Sequence, residues 1–372
     1  MIKHNSNKQG ILYLMGIQWN WIKQRPHFIA EGLAEKYDLV TLSKKSLTQK
    51  GDGNETPVKV VYPIRLIPER ISLFKRINTS IYKRYVDYYL RRCKFVWFCA
   101  PNEISEYVLT KCSNEHVVIY DCMDDMLAFP SSKDNIKAIF AREESLVKRA
   151  NVIFCSANHL KEKICERYSI NKDITVLNNA LVINEENATS RDDLLRLKPG
   201  FVKSAAFKIS YIGTVADWFD FELIEKILLS IPKAEIHLWG PCSQRLKDAN
   251  ERKGVFFHGP VDHKYVKTIM ENSNALIMPF VVNELIQSVN PVKLYEYIYS
   301  GVPCLAPLYG ESKPFGDYCY LYKDHGDCID ELKHILDKTP SISKTKDECE
   351  NFAKANTWSQ RMKVILNVMK GL

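Results

Sequence analysis

The sequence predicts an α/β protein with two doubly wound, Rossmann-like domains that face each other across a cleft. The chain of 372 residues is too long for one typical hydrophobic core, so two domains are expected. Short apolar runs alternate with helical patterns in each half, which is typical of parallel sheets covered by helices. In such sheets ligands bind beyond the carboxyl ends of the strands, so a site between the two sheets is expected.

The first domain is predicted over residues 1–182. Its strands are predicted where short apolar runs occur, at Ile11–Gly16, Leu39–Leu42, Val58–Tyr62, Phe95–Cys99, Val117–Tyr120, Val152–Cys155 and Thr175–Leu177. Its helices are predicted where apolar residues recur with helical spacing, at Pro26–Lys36, Ile71–Arg92, Ile104–Lys111, Ile136–Arg149 and Leu160–Tyr168.

A polar segment, residues 182–200, is predicted to be the interdomain linker, and the second domain is predicted over residues 201–356. Its strands are predicted at Lys208–Ile212, Glu235–Trp239, Val255–Phe257, Ala275–Met278 and Val302–Ala306. The helices predicted in this half of the chain are Phe221–Leu229, Lys264–Glu271, Pro291–Ser300, Cys328–Asp337, Lys344–Ala355 and Ser359–Met369.

The composition indicates a globular protein, with 46% hydrophobic and 26% charged residues. No apolar run is long enough to span a membrane, and the polar N-terminus does not read as a signal peptide. The eleven cysteines form no C-x-x-C pair, which indicates reduced thiols and no metal site. We therefore expect a cytoplasmic protein whose glycosylation sequons are silent, at Asn54, Asn78 and Asn187.

The formal charge of +8 is concentrated in one segment, Arg65–Lys94. Nine lysines and arginines lie there against two carboxylates, interleaved with aliphatic residues and tyrosines. Such a segment suits an anionic membrane surface or an anionic acceptor, and this interpretation is slightly favoured over a helix with a solvated basic face. Nucleic acid is not expected as a partner, because no recognised binding motif accompanies the charge.

The segment Asn283–Pro307 carries the strongest local signal for an anion site. Asn290 is predicted to cap a helix that has Pro291 at its first position. The N-terminus of a helix offers unpaired N–H groups and positive charge, and Lys293 and Glu296 lie on its first turns. This arrangement suits the pyrophosphate and ribose of a nucleotide. An ordinary surface helix with an exposed Lys293–Glu296 pair is equally compatible with the sequence.

Three predicted strands of the second domain are followed by glycine. Gly213 and Thr214 follow the first strand, Gly240 follows the second and Gly259 follows the third. A glycine lets the backbone approach a phosphate closely, although a single glycine is more often only a turn. The repetition favours one ligand that lies across several strand ends.

Three carboxylates, Asp121, Asp124 and Asp125, follow the predicted strand Val117–Tyr120. Asp124 is a candidate general base toward an acceptor hydroxyl, provided that its neighbours raise its pKa. Capping of the next helix is an equally compatible role. Asp121 is expected to be structural, and Asp125 fits either role.

The loop from Trp19 to His27 connects the first strand to the first helix. Arg25 and His27 are expected to look into the site, and Trp19 and Trp21 are suited to stacking on a sugar face. The alternative is a packed loop with Arg25 in a structural salt bridge. A functional role is favoured for Arg25 and is left open for His27.

Eight blocks over nearly the whole chain resemble one family of enzymes. They read W-N-W…QRPHFIAEGLAE, VVIYDCMDDMLAF, AREESLVKRANVIFCSANHLKEKI, VLNNA, ISYIGTVADWFDFELI, IHLWGP, VFFHGPV and NPVKLYEYIYSGVP, of which the last is the most specific. They resemble nucleotide-sugar-dependent glycosyltransferases of the GT-B fold, family 4, in the branch that builds bacterial cell-surface polysaccharides such as teichuronic acid. The C-terminal helix, residues 357–372, resembles the tail helix that crosses back to the first domain in this fold.

The resemblance implies roles for the matching positions. Lys293 would bind the diphosphate and Glu296 the ribose, while Gly213 and Thr214 would line the diphosphate from the other side. The base would be held by His258–Val261, largely through backbone groups. The remaining candidates for binding the donor lie close to Lys293 in the chain, at Glu284, Ser288, Asn290 and Val292.

The block VIYDCMDD also resembles xanthan glucuronosyltransferases, where Asp124 falls at the position of the catalytic aspartate. Two departures from family 4 weaken the inference of a retaining mechanism. Ser288 stands where the family has a second glutamate, and the nearest upstream glutamate is Glu284. The arginine and lysine that often follow the Gly213 loop are also absent, so charge neutralisation would rest on Lys293, helix N–H groups and Arg25.

The expected activity is sugar transfer from a UDP- or GDP-sugar to a hydroxyl of a glycan or lipid-linked acceptor, at the inner face of the cell membrane. The resemblance favours retention of the anomeric configuration, whereas Asp124 acting as base in a direct displacement would invert it. No metal or cofactor is expected, because GT-B enzymes generally need no metal for their chemistry. A nucleotide-sugar epimerase of the same fold and a non-catalytic nucleotide-sugar or glycan-binding subunit are the alternatives.

Overall fold

Neighbouring strands run parallel in both halves of the chain, as the alternating sequence pattern predicts. The computed structural model describes residues 8–20, 22–43, 56–64, 71–183 and 189–372. It divides into a first unit, residues 1–178 with 358–372, and a second unit, residues 179–357. Each unit has its own sheet and its own buried core, so the predicted α/β class with parallel sheets is confirmed.

The sheet of the first unit has seven strands, β1 (Gly10–Leu14), β2 (Asp38–Leu42), β3 (Lys59–Val61), β4 (Phe95–Phe98), β5 (Val117–Cys122), β6 (Val152–Cys155) and β7 (Ile174–Val176). Its first five helices are α1 (Arg25–Ala34), α2 (Ser72–Leu90), α3 (Glu103–Lys111), α4 (Lys133–Arg149) and α5 (Asn158–Tyr168). The strand order is β3-β2-β1-β4-β5-β6-β7. The order reverses between β1 and β4, which is the topological switch point where doubly wound sheets bind ligands.

The sheet of the second unit has six strands, β8 (Phe207–Ile212), β9 (Ala234–Trp239), β10 (Val255–Gly259), β11 (Ala275–Ile277), β12 (Cys304–Pro307) and β13 (Tyr320–Tyr322). Its α-helices are α6 (Arg191–Leu197), α7 (Pro199–Lys203), α8 (Phe221–Ser230), α9 (Gln244–Asn250), α10 (Val266–Glu271), α11 (Glu284–Gln287), α12 (Val292–Ser300), α13 (His325–Leu336) and α14 (Lys346–Ala355). The strand order is β10-β9-β8-β11-β12-β13, with the switch point between β8 and β11.

The last helix, α15 (Trp358–Lys370), belongs to the first unit. The ring of Trp358 stacks on Phe28 of α1, with 5.3 Å between the ring centroids. A Cβ at Gly32 of α1 would lie 2.6 Å from Cγ of Met362, so the glycine lets the two helices approach closely. Among the residues that the structure describes, no helix combines the length and the apolar character needed to cross a membrane.

Residues 182–200 do not form the linker that their polar composition predicts. Within this segment α6 and the start of α7 are helical, and Leu194 is buried in the core of the second unit. Phe201 and Val202, which follow the segment in α7, are buried in the same core. The ring of Phe201 packs edge-on against Trp239, at 5.0 Å between centroids. The polar appearance comes from the capped and solvated side of α6, where Ser190 caps the helix. Residues 184–188 lie outside the described residues, as do the predicted sequons at Asn54 and Asn187.

Several short elements carry no clear sequence signal. Strand β13 has three residues, and α9 has no buried residue, so neither shows apolar periodicity. Helix α11 is a single turn that Asn283 caps through Ile286 N–H. The predicted long elements are present, with ends that differ by a few residues from the predicted ones.

Candidate functional site

The strands β8, β9 and β10 end side by side at one edge of the second sheet, and each is followed by or ends in glycine. The Gly213 N–H donates to Trp239 O (2.8 Å), and the Gly240 N–H donates to Gly259 O (2.9 Å). Gly240 has φ of 142°, and a Cβ there would lie 2.1 Å from Gly213 O. Glycine is therefore required at Gly240 for these loops to lie against one another. The Gly213 N–H is already paired with a backbone carbonyl at this edge of the sheet.

Helix α12 begins at the same edge of this sheet. The Ile212 N–H at the end of β8 donates to the Tyr297 hydroxyl oxygen (3.0 Å), which fixes α12 against that strand end. The helix ends at Gly301, where φ is 71°, as the sequence predicts. Of the predicted residues beside it, Thr214 is exposed and Val261 is half-buried against the core.

The predicted N-cap of α12 is wrong. The residue at the N-cap position is Pro291, and it makes no side-chain cap. Asn290 is 3% exposed, and its Oδ1 accepts from the Asn179 backbone N–H (3.0 Å) and from the Tyr295 hydroxyl (3.3 Å). Asn290 therefore holds the entry of the helix in place through Asn179, a residue more than a hundred positions away in the chain.

The first turn of α12 keeps unpaired backbone donors. Among the described residues, the N–H groups of Val292 and Lys293 have no hydrogen-bond acceptor, and Val292 is 39% exposed. The positive end of the helix dipole lies at the same place. This end of the helix is therefore suited to an anion, as the sequence predicts.

Lys293 and Glu296 form an ion pair, with 2.9 Å between Nζ and Oε2, and both side chains are half-buried rather than exposed. The His263 Nε2 lies 3.8 Å from the other oxygen of Glu296. Burial raises the pKa of Glu296, but Lys293 and His263 outweigh it and lower the pKa to about 2. Glu296 is therefore ionised at neutral pH and able to accept hydrogen bonds from ribose hydroxyls.

The His258 side chain is turned into the second unit. Its ring stacks on Trp239 at 3.7 Å between centroids, and its Nε2 lies 2.9 Å from Nδ1 of His237. Burial lowers the pKa of both histidines to about 3, so both rings are neutral. A role of His258 in holding a base would therefore fall to backbone groups, as the resemblance implies.

Glu284 and Ser288, two of the predicted donor-binding positions, differ in burial. Glu284 opens α11 and is exposed. Ser288 is 1% exposed, and among the described residues its hydroxyl has no hydrogen-bond partner. The chain therefore has a buried hydroxyl where the family has a second carboxylate.

In the first unit, Asp121 lies within β5, whereas the sequence predicted that it follows the strand. It is 0% exposed and pairs with Arg25, whose Nη2 lies 2.7 Å from Oδ1. Arg25 is 5% exposed, and its Nη1 also donates to Leu177 O (2.6 Å). The structural salt bridge that the sequence left as the alternative for Arg25 is present, and the expected structural role of Asp121 fits this pair.

Asp125 is held by a second buried network. Lys163 and Arg167 each lie 2.9 Å from its Oδ2. Burial raises the pKa of Asp125, but these two cations outweigh it and the pKa is lowered. Arg167 also pairs with Glu143 (3.3 Å), a fully buried carboxylate that accepts from the Tyr120 hydroxyl. Asp125 therefore has its charge satisfied inside the unit.

Asp124, between these two paired carboxylates, is different. It is half-buried, and no partner for its carboxyl group is found in the part of the chain that the structure describes. Burial raises its pKa, Asp121 and Asp125 raise it further, and Arg25 opposes them. The pKa of Asp124 is therefore raised mainly by burial, which is the direction that a general base needs.

The His27 side chain does not point outward from its loop. Its Nδ1 accepts from the Gln24 N–H (3.2 Å), so its Nε2 carries the proton and donates to Trp19 O (2.9 Å). Burial lowers the pKa of His27, in agreement with a neutral ring. Both ring nitrogens are used within the loop, so the expectation that His27 faces a ligand is corrected. The half-buried Trp19 packs against His27 at 5.2 Å between centroids, and Trp21 lies outside the described residues.

Sequence reasoning missed three residues that position the second-unit site, namely Tyr297, His263 and Asn179. Tyr297 follows Glu296 directly, but a tyrosine on a buried helix face is typical of a core. His263 and Asn179 reach the site through contacts over long stretches of sequence. The only signal for Asn179 was its place in the block VLNNA.

No family model matches the chain. The chain is 27% identical over 261 residues to the "Putative teichuronic acid biosynthesis glycosyltransferase TuaH" of Bacillus subtilis (strain 168). The match covers 65% of this chain and 64% of that protein, which is less than two thirds of the relative's length.

Solved structures of other proteins are similar to this chain over almost its whole length. HepE of Anabaena in complex with UDP and glucose matches with a TM-score of 0.71 and 13% identity, covering 98% of this chain and 100% of HepE. Sucrose-phosphate synthase from Thermosynechococcus elongatus matches with a TM-score of 0.74 and 12% identity, covering 98% and 99% of the two chains. At this identity the likeness shows the fold, and the predicted GT-B fold with two Rossmann-like domains is confirmed.

Proposed function

We propose that this protein is a glycosyltransferase that moves a sugar from a nucleoside diphosphate sugar to a hydroxyl of a glycan or lipid-linked acceptor. One observation carries the proposal: the first turn of α12 combines unpaired N–H groups, Lys293 and the ionised Glu296. The similarity to a protein named as a glycosyltransferase, and to HepE crystallised with UDP and glucose, supports this reading.

The donor is held by its diphosphate and its ribose. In the unliganded protein the Lys293 ammonium is paired with Glu296 (2.9 Å). When the donor binds, the ammonium moves to the diphosphate and the N–H groups of Val292 and Lys293 donate to it. Glu296 then accepts from the ribose hydroxyls. Gly213 and Thr214 line the diphosphate from the β8 end, and the base lies against the backbone of residues 258–261.

Transfer needs a proton acceptor and a stabilised leaving group. The acceptor oxygen bonds to the anomeric carbon while the bond from that carbon to the diphosphate oxygen breaks. The negative charge leaves with the diphosphate, where Lys293 and the α12 N-terminus stabilise it. Asp124 takes the proton of the acceptor hydroxyl, since its carboxyl group is unpartnered among the described residues and its pKa is raised.

The anomeric configuration of the product depends on which group accepts the proton of the acceptor hydroxyl. The family resemblance alone favours retention of the anomeric configuration. A base at Asp124 acts in direct displacement, and displacement from the opposite face inverts the anomeric carbon. The anomeric configuration of the product, read by NMR, decides between the two courses.

The basic segment is suited to binding an anionic surface, on the cytoplasmic side of the membrane. One side of α2, continued by its C-cap residue Arg91, exposes residues that recur every three or four positions, namely Leu73, Arg76, Ser80, Arg84, Tyr88 and Arg91. A stripe of arginines with exposed apolar and aromatic residues suits the headgroups of anionic lipids. The start of the segment, residues 65–70, lies outside the described residues.

The activity is tested by incubating the protein with UDP- and GDP-sugars and bacterial membranes as acceptor, and following labelled sugar. We expect transfer from one nucleotide sugar, reduced by about 100-fold or more in Lys293→Ala because a charge-stabilising donor is lost. Lys233→Ala is the matched control, since Lys233 is exposed at the amino end of β9, the opposite edge of the sheet. Conversion of the free donor into an epimer, or binding of nucleotide without turnover, would contradict the proposal in favour of its two alternatives.

A further inference from the structure

A cavity of 740 Å³ opens in the first unit, at the carboxyl ends of β1 and β2 and beside the start of α3. Its walls include Leu14 and Leu42 from the strands and Ile104 from α3. This is the region of the switch point between β1 and β4, where doubly wound sheets place ligands. The volume is typical of a small-molecule site and exceeds what one inorganic ion fills.

One face of α2 forms the remaining wall of this cavity. Its residues there recur at helical spacing and are polar or cationic, namely Lys75, Asn78, Thr79, Tyr82 and Lys83. A helix that covers a sheet usually turns apolar residues toward it, and α2 does so one turn further on, where Val86 and Leu90 are buried. The change from polar to apolar along one face indicates that the first half of α2 covers a ligand rather than a core.

The wall is fixed in place and keeps free positive charge. The Tyr82 hydroxyl donates to Leu42 O (3.2 Å), which ties α2 to the end of β2. The Lys83 ammonium stands over the Tyr107 ring at 4.4 Å. Among the described residues neither Lys75 nor Lys83 has a carboxylate within ion-pair distance. The one acidic side chain among the described residues that line the cavity is Glu103, so the wall has an excess of positive charge.

We propose that this cavity binds an anionic acceptor, with its phosphate or carboxylate groups on Lys75 and Lys83 and its less polar part on Leu14, Leu42 and Ile104. The inference rests on the proposed function and deepens it by naming the chemical class of the acceptor. The two lysines are eight residues apart, about 12 Å along the helix axis, so they suit two charges spaced along an acceptor, as in two uronates, and their long side chains can also converge on one diphosphate. A neutral acceptor would use neither ammonium.

The test is direct binding by calorimetry, without donor nucleotide, using two pairs of probes. Geranyl diphosphate is compared with geraniol, and trigalacturonic acid with maltotriose, so that each pair sets an anionic ligand against an uncharged one. We expect the anionic member of one pair to bind at least tenfold more tightly than its neutral partner. The pair that shows this preference tells whether the charge is a lipid phosphate or a sugar carboxylate.

Two variants, compared with one control, test whether the probes bind in the cavity. Lys75→Ala/Lys83→Ala should abolish the preference for the anion, whereas Lys133→Ala/Lys137→Ala, which removes two exposed charges of α4 in the same unit, should keep it. Thr79→Trp fills the cavity without removing charge and should weaken binding of the anionic and the neutral probe together. Equal affinity for charged and neutral probes, no binding of any probe, or equal losses in both double variants would overturn the proposal. A parallel titration with UDP and GDP reports on the donor site separately, so failure of the proposed function is told apart from failure of this inference.

Discussion

Asp124→Asn should lower kcat for sugar transfer by about 10²- to 10⁴-fold, the range that a positioned general base contributes. The substitution keeps the size of the side chain and removes only its ability to take a proton. Burial raises the pKa of Asp124 and outweighs the opposing charge of Arg25, so a carboxylate there is a stronger base than an exposed aspartate. Donor affinity should not change, because the donor is held by residues of the second unit.

The pH profile of kcat/KM gives this prediction a second readout. Activity of the wild type should fall as the pH drops through the raised pKa of Asp124, and this acid limb should be absent from Asp124→Asn. A carboxyl group with a raised native pKa stabilises the fold less as it ionises, so at neutral pH the variant should be at least as stable as the wild type. Asp173→Asn, an exposed aspartate of the same unit, is the control. Full activity of Asp124→Asn would show that Asp124 is not the general base, and the argument for inversion would then be lost.

Arg25→Met should lower the free energy of unfolding by about 3–5 kcal/mol, because it leaves the Asp121 carboxylate buried without its partner. Asp121 is 0% exposed, and Arg25 supplies both charge and two hydrogen-bonding nitrogens to it. The variant also loses the hydrogen bond to Leu177 O, which ties α1 to the end of β7. Denaturant unfolding of the wild type and the variant measures the difference, provided that the slopes agree.

Two further variants separate the buried pair from surface charge. Arg25→Met/Asp121→Leu replaces both charges by apolar side chains and should recover much of the loss, since replacing a whole buried pair is often neutral. Lys23→Met removes a more exposed pair with Glu31 in the same region and should change stability by less than about 1 kcal/mol. A small effect of Arg25→Met would show that the salt bridge contributes little to stability and would favour the functional role predicted for Arg25.

The fold could be predicted from the sequence because its signals are local. Apolar strands, helical periodicity and the glycines at strand ends are read within windows of about ten residues. The prediction failed at residues 182–200 because α6 and α7 are short and bury only a few side chains, which a polar window hides. It also failed where elements such as β13 are too short to show a period.

The site was predictable in part for the same reason. Lys293 and Glu296 share one helix, so their pairing follows from spacing alone. The Arg25–Asp121 pair joins residues 96 positions apart, and the contact of His263 with Glu296 also depends on how distant strands align. Such contacts decide which of the three aspartates is left without a partner among the described residues, so the sequence named Asp124 as a candidate base but did not predict the ion pairs of Asp121 and Asp125.

Calorimetric titration with UDP and GDP, on the wild type, Lys293→Ala and the control Lys233→Ala, tests the donor site most directly. The first turn of α12 predicts that one nucleotide binds the wild type and the control with the same affinity. Lys293→Ala should weaken that binding by more than about tenfold, roughly 1.4 kcal/mol. Binding of neither nucleotide, or binding that Lys293→Ala leaves unchanged, would contradict a donor site at the start of α12 and the transferase activity proposed from it.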